Sequence, residues 1–498
     1  MSNLKKINNK SNYKKVKIGL VHGVFDIMHI GHIEYFKSAK KLCDKLIVSV
    51  TIDKFVNKGA DRPAFTTNER IKVLKSIKYI DQVVISKEKT AVKQIIKIKP
   101  DFYIKGKDYK DLIKNPDDNL KKEISAIHKV GGKFLVTESK LKSSSKILNE
   151  QFNFLDKKVI SFLKKIDINN FQKKIKSILF SKNNLKNLVI GEPILDKHTN
   201  VSVNGRSQKT NAISSTIINS KEYGGGIILP INFLNQFYEK VDTIFFNNIF
   251  NKKIFEKHVD NKTTIHKINN KTTKIIVKER YIDNYVRNKL FQINHNETFK
   301  LSSAADTAYI KKIKNIISNF DNIIIFDYGY GYFTNDLIKF LTKHKRKLFI
   351  NCQTNSSNFG YNLISKYNGG KIICIDETEF RLSLRNKSED VKKLLILNKK
   401  ILNNYEIFIV TMGSKGCYVC HKNKIEYIPT IFINTKDTTG CGDIFFSSFI
   451  FFYSTNRFTL KECAFLSHIA SGIHARSEGN ENCVTKDKFF RIAQTVIK

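Results

Sequence analysis

The sequence predicts an α/β protein built from two doubly wound parallel-sheet domains. Short runs rich in β-branched residues alternate with segments of helical period over residues 16–150, and the alternation resumes from 187 to the end. Strands separated by helices imply parallel βαβ units, whose ligands gather at the strand C-terminal ends. At 498 residues the chain is also too long for one core, since single cores stop growing at roughly 250–300 residues.

Residues 1–15 read as a flexible basic tail. KIGLVHG, LIVSVTID, DQVVIS, DFYIKG and KFLVTE are the strands of the first domain, with helices such as HIEYFKSAKKLC and TNERIKVLKSIKY between them. Residues 151–186 keep a helical period, are rich in lysine and carry no chemical constellation, which predicts a helical linker. The second series runs through NLVIGEPILD, TIFF, NIIIFDYG, KLFINCQT, KIICIDE and EIFIVTMG. A β-rich stretch near residues 272–293 interrupts it and predicts a small β lid.

Composition narrows the function classes. The formal charge of +42 favours polyanionic partners such as phosphorylated substrates, but lysine is spread diffusely and no arginine-rich helix with interleaved aromatics marks a specific nucleic-acid reader. The basic N-terminus lacks the apolar core of a secretory signal. The most apolar run, Ile444–Tyr453, is about half the length of a bilayer span and reads as a buried helix, so no membrane insertion is expected. Eight scattered cysteines then fit reduced thiols and a cytoplasmic location. Cys417, Cys420 and His421 match a CxxCH haem-attachment pattern, but they lie in a strand leading into a turn, where attachment needs an open loop.

Two segments carry chemistry. In HGVFDIMHIGH, His22 to His32, a strand runs through a glycine-containing turn into a helix, directing N–H groups and a positive dipole end toward phosphate. His29 and His32 lie three apart and can face one ligand, while Gly31 allows close backbone approach. Two imidazoles beside a triphosphate can donate to the charge that builds up on a five-coordinate phosphorus. In NTKDTTGCGDIFFSSFIFF, the N–H groups of Gly440, Cys441 and Gly442 are expected to face a phosphoryl group, and Asp443 can take the proton of an attacking hydroxyl.

The first domain resembles the cytidylyltransferase-like nucleotidylyltransferases, in particular the branch that makes nucleotide-activated heptoses. HGVFDIMHIGH, NKGADRPAF, NERIKVL, YIKGKDYKD and LKSSSKILN carry the likeness. It implies in-line attack by a sugar phosphate oxygen on the α-phosphorus of a nucleoside triphosphate, with release of pyrophosphate. His29, His32 and Lys146 are the catalytic residues so implied. Nucleotide and phosphate binding falls to Gly23, Phe25, Asp26, Gly31, Arg62, Arg70, Lys105, Gly106, Asp108, Ser143, Ser144 and Ser145, with Lys58 also in the matching pattern.

The second domain resembles the pfkB, or ribokinase-like, carbohydrate kinases. The likeness implies Asp443 as base, Asp196, Gly225, Gly226 and Asn232 at the sugar, and Gly440, Cys441, Gly442, Thr411, Gly413 and Gly416 at the nucleotide. Asp376 and Glu379 would organise Mg2+ through water, with ATP as substrate. This chain has Asp376 where the family has Asn, Glu192 where it has Asp, and Tyr330 where heptose kinases have Lys. The common bifunctional heptose enzyme also places its kinase first.

Together the resemblances imply a bifunctional enzyme of activated-sugar synthesis. The kinase would phosphorylate a sugar, such as heptose 7-phosphate at O1, and the transferase would add a nucleotidyl group, AMP, to the sugar 1-phosphate. ATP and sugar phosphate would be its partners, and a homodimer is allowed. The alternatives are a glycerol-phosphate-type cytidylyltransferase fused to a separate kinase, and a non-catalytic basic nucleic-acid-binding protein.

Overall fold

The computed structural model describes residues 16–56, 63–109, 118–137, 156–179, 183–247, 249–270, 276–295, 300–431, 435–477, 479–480 and 484–497. The chain divides into two compact units, Met1–Phe154 with Lys498, and Leu155–Ile497.

The first unit contains β1 (Ile18–Gly23), α1 (Ile30–Lys40), β2 (Lys45–Thr51), α2 (Thr67–Lys75), β3 (Gln82–Ser86), α3 (Val92–Ile98), β4 (Phe102–Lys105), α4 (Asp118–Lys129) and β5 (Lys133–Val136). The sheet order is β3-β2-β1-β4-β5, with every pair parallel. Alternation along the strands builds two cores. Val21, Val48 and Ile104 face one side with Phe36 and Leu74, while Leu20, Ile47 and Tyr103 face the other with Ile95 and Ile127. Helix α2 starts on a capping box in which Thr66 and Glu69 each satisfy the other's backbone N–H. The strand order reverses beside β1, which places a ligand crevice at its C-terminal end.

The second unit opens with α5 (Lys157–Leu163) and α6 (Ile168–Leu179). These helices cover the linker segment, and both pack into this unit. Phe162 stacks on Phe465 with ring centroids 4.9 Å apart, Phe171 meets Phe458 edge-on, and Lys174 pairs with Glu462 at 3.0 Å. There follow β6 (Asn187–Gly191), β7 (Pro193–Arg206), β8 (Ile213–Gly226), α7 (Ile228–Leu234), β9 (Val241–Asn247), α8 (Ile249–His258), β10 (Thr264–Asn269), β11 (Ile276–Asp283) and β12 (Lys289–Asn294). Next come α9 (Ser303–Ile316), β13 (Asn322–Asp327), α10 (Asn335–Thr342), β14 (Leu348–Cys352), β15 (Gly370–Asp376), α11 (Glu377–Leu384), α12 (Val391–Leu397) and α13 (Lys399–Leu402). The unit closes with β16 (Tyr405–Thr411), β17 (Cys417–His421), β18 (Lys424–Ile428), α14 (Cys441–Ser454), α15 (Leu460–His474) and α16 (Lys486–Val496).

Nine strands form the main sheet in the order β10-β9-β6-β13-β14-β15-β16-β17-β18, parallel as far as β16 and antiparallel beyond it. A separate four-stranded sheet, β12-β11-β7-β8, forms the lid. The expected β-rich stretch supplies only β11 and β12. The other half is a long hairpin, β7 with β8, whose outer residues are largely exposed and so lack the apolar alternation that marks a buried strand. Helix α14 is buried along most of its length and packs against α15 and α7. No described helix is long and apolar enough to cross a membrane. Cys417 and Cys420 are buried in β17 between two ladder partners, and the open loop that haem attachment requires is absent there.

Candidate active sites

In the first unit, β1 ends at Gly23 and the chain passes through Phe25, held at φ 50°, into α1. A side chain at Gly23 would meet the Phe25 ring at 2.9 Å, so glycine lets that ring pack inward. The ring lies edge-on to His32 at 5.8 Å and against Phe36 at 5.2 Å. The Phe25 ring is therefore a buried support for His32. His29 is the N-cap of α1, and its Nδ1 accepts from Gly31 N at 3.1 Å. Burial lowers its pKa, so near neutrality the ring is uncharged with its proton on Nε2, which makes it a donor. The His29 and His32 rings sit 4.1 Å apart.

Three other expected contacts have internal tasks. Asp26 is buried and accepts from Phe65 N at 3.0 Å. Arg70 is buried and donates to Phe65 O, Val24 O, Thr51 O, Thr67 Oγ1 and Asp53 Oδ1 at 2.5–3.2 Å. It pins the loops beside β1, with each of its guanidinium nitrogens engaged. Lys105 pairs with Glu123 at 3.4 Å and lies over the Tyr103 and Tyr109 rings. Glu123 also accepts from Ala91 N and the Tyr103 hydroxyl. The Lys105 ammonium thus balances a buried carboxylate. Gly106 accepts from Tyr109 N at 3.1 Å. Lys58, Arg62, Ser143, Ser144, Ser145, Lys146 and the Asp108 side chain lie outside the described residues.

Sequence reasoning passed over His22, the first residue of the same motif. It is buried between Ser49 Oγ and Thr51 Oγ1, and burial, aided by the charge of Lys105, brings its pKa down to about 4. It is a neutral brace between β1 and β2.

In the second unit, the loop before α14 turns through Gly440 at φ 76°, where any side chain would strike Leu229 at 2.4 Å. Asp443 is the third residue of α14 and is buried, with Oδ1 accepting from Gln353 Nε2 at 2.6 Å. Burial pushes its pKa up to about 7, and the Asp196 charge adds to the shift. Gln353, Tyr328 and Lys278 act the other way. The N–H of Cys441 donates to Thr438 O at 3.1 Å, which tightens the turn into α14.

Asp196, on β7, pairs with Arg280 of β11 and accepts from Asn480 Nδ2 at 3.3 Å. Gly225 allows this closeness, because an added Cβ would lie 2.1 Å from Asp196 Oδ2, and Gly226 turns at φ 56°. The Asn232 amide donates to His258 O and accepts from Asp260 N, which anchors the turn after α8. Lys278, beside Arg280 on β11, lies 5.4 Å over the Tyr330 ring and interacts electrostatically with Asp196, Asp443 and Glu192. It places a cation beside Tyr330. Gln353 was missed because it lies 90 residues from Asp443 in sequence and belongs to no motif, whereas Lys278 opens the KERYIDN segment, whose likeness to lid and sugar-binding strands gave the lysine no role of its own.

Asp376 and Glu379 form the capping box of α11. Glu379 accepts from Asp376 N at 2.8 Å and Thr354 N at 3.0 Å, and burial with the Asp376 charge pushes its pKa up to about 8. Among the described residues, no group of three or more acidic, histidine or cysteine side chains is arranged to hold a metal ion. Thr411 ends β16, and Gly413 and Gly416 shape the next turn at φ 54° and 92°.

Two known families match successive parts of the chain. The cytidylyltransferase-like family matches residues 20–221, and the pfkB family of carbohydrate kinases matches 245–487. The first match runs past Phe154 into β7 and β8, which strand pairing assigns to the second unit. The bifunctional protein HldE of Blochmanniella floridana is 44% identical over 95 residues, 19% of this chain and 20% of that protein. HldE of Campylobacter concisus (strain 13826) is 40% identical over 121 residues, 24% of this chain and 25% of that protein. The chain thus spans a fifth to a quarter of the length of these relatives. Phosphofructokinase-2 from Escherichia coli, crystallised with substrates and products, shares the fold with a TM-score of 0.50 at 11% identity, covering 64% of this chain and all of that one. The chain therefore carries a segment that matches the cytidylyltransferase-like family followed by one that matches the pfkB carbohydrate kinases, in that order.

Proposed function

We propose that the protein phosphorylates a sugar phosphate at its anomeric oxygen and then couples the resulting sugar 1-phosphate to a nucleotide. The observation that carries the reading is the buried Asp443 carboxyl, oriented by Gln353 at the glycine-lined start of α14 with Lys278 nearby. Asp443 accepts the proton of the sugar hydroxyl, the freed oxygen attacks the γ-phosphorus of ATP, and ADP leaves. Lys278 and the Gly440 and Gly442 N–H groups face the charge on the transferring phosphoryl group. Asp196, with Gly225 and Gly226, holds the sugar, and Thr411, Gly413 and Gly416 line the nucleotide side. Three carboxylate oxygens of Asp376 and Glu379 already accept backbone N–H groups, so Mg2+ accompanying ATP would meet them through water.

In the first unit, His29 and His32 donate to the α-phosphate as the sugar phosphate oxygen attacks and pyrophosphate leaves, with Lys146 and Ser143 to Ser145 on the outer phosphates. Heptose 7-phosphate is the preferred sugar and AMP the transferred group, which the matches to HldE proteins favour over a polyol phosphate. The proposed domains are residues 16–150 and 187–498, working in the cytoplasm. A homodimer would cover Ile213, Ile217 and Phe291, which are exposed on the lid strands. Purified protein given ATP, Mg2+ and heptose 7-phosphate should form ADP and pyrophosphate. Absence of turnover across a panel of sugars and sugar phosphates would overturn the proposal.

A further inference from the structure

The kinase reading leaves unexplained how the lid sheet is held against the loop that carries Asp443. Strand β12 lies at the edge of that sheet, and apolar burial does little to fix it, since Leu290, Phe291 and Ile293 are all exposed. Its amide side chains reach Ser356 only at 3.4–3.5 Å. Its first residue makes the strong contacts. Lys289 Nζ donates to Asp437 Oδ1 at 2.8 Å and to Thr439 Oγ1 at 3.0 Å.

Asp437 is a junction. Oδ1 also accepts from Thr439 N at 3.0 Å and from Thr439 Oγ1 at 2.8 Å, which shapes the loop four residues before Cys441. Oδ2 accepts from Gly479 N at 3.2 Å, and the next residue, Asn480, donates to Asp196 Oδ2 and Gly224 O. On its far side the loop is clamped to the end of α15, through Lys436 N and Asp437 N to Ala475 O and through His474 Nε2 to Thr439 O. On the lid side, Lys289 is the one cation paired with Asp437 among the described residues. The lysine side chain is 43% exposed and the aspartate 9%. An exposed ion pair adds little, but a carboxylate this buried depends on its counter-charge.

We propose that Lys289 is a positioning residue for phosphoryl transfer, an ionic latch that fastens the lid sheet to the phosphoryl loop and, through Asp437, to the residues around Asp196. The proposal rests on the kinase reading for its catalytic consequence but not for its structural one. With the latch closed, the lid residues Lys278 and Arg280 on the neighbouring β11 keep a fixed distance to Asp443. With it open, β12 separates from the loop and the site loses its register.

The test uses the full chain with Lys289→Gln, Lys289→Arg, Asp437→Asn and the Gln/Asn double variant. Hydrogen exchange of the Lys289–Asn294 amides should quicken about tenfold in Lys289→Gln and remain near wild type in Lys289→Arg. Wild-type protection should weaken from 0.05 to 0.5 M NaCl (about a threefold change in Debye length), whereas the Gln variant should not respond. The rate constant for ADP formation should fall about tenfold in Lys289→Gln, and the double variant should lose no more than the worse single one. Wild-type exchange rates in Lys289→Gln, or additive losses in the double variant, would overturn the latch. If the wild-type protein phosphorylates no sugar, the kinase reading fails, and the exchange arm still decides the latch.

Discussion

Replacing Asp443 by Asn removes a carboxyl that the fold makes hard to ionise. Burial moves its pKa from 3.8 to about 7, a rise of roughly 3 units, and at 1.36 kcal/mol per unit the ionised form is penalised by about 4 kcal/mol. The folded-state pKa lies above the unfolded one, so the folded protein holds the extra proton. The associated stability is complete below about pH 4, is lost as pH rises toward 7, and stays lost above that. Asparagine has no such equilibrium and still accepts from Gln353 through its carbonyl oxygen. Relative to wild type, Asp443→Asn should therefore gain about 2–3 kcal/mol of stability between pH 5 and pH 8, to a total of about 4 kcal/mol at pH 8, while losing ADP formation. Urea unfolding of both proteins at the two pH values, with a coupled ADP assay, measures this. A stability difference that does not change with pH, or a variant less stable at pH 8, would refute the assignment of a strained buried base. The wild-type kinase rate should rise with pH to a plateau, because only the carboxylate can accept the hydroxyl proton.

Other perturbations separate the two units. His32→Ala should abolish pyrophosphate release from supplied sugar 1-phosphate and leave ADP formation intact, the reverse of Asp443→Asn, and loss of both activities in either variant would count against independent sites. Arg70→Met strands the buried acceptors Val24 O, Thr51 O and Phe65 O, and should destabilise the first unit by about 3–5 kcal/mol in denaturant titrations. An effect below about 1 kcal/mol would restore Arg70 to the nucleotide. Gly225→Ala puts a methyl 2.1 Å from Asp196 Oδ2 and should raise the sugar KM about tenfold with the ATP KM unchanged, whereas a shift in ATP KM alone would move Asp196 away from the sugar.

Local chemistry was legible wherever neighbours in sequence are neighbours in space. The apolar runs of β1, β2 and β4 could be read directly because these central parallel strands are buried on both faces. The helix starts at His29 and Asp443 could be read because a turn, a glycine and a cap lie within a few residues. The β7 to β8 hairpin was missed because its outer residues face solvent and keep no buried alternation.

What the sequence by itself determined is the fold class, the two helix starts that follow a glycine-containing turn and the pairing of His29 with His32. Only the tertiary structure decided which charged residues serve the sites and which serve the fold. It committed Arg70, Lys105 and Asn232 to internal partners, and it brought Gln353 and Lys278 to Asp443 from remote strands. The reason is physical: a cation's task depends on which carboxylate the fold buries beside it. Asp196 finds Arg280 across 84 residues of sequence, a separation over which no local pattern carries information.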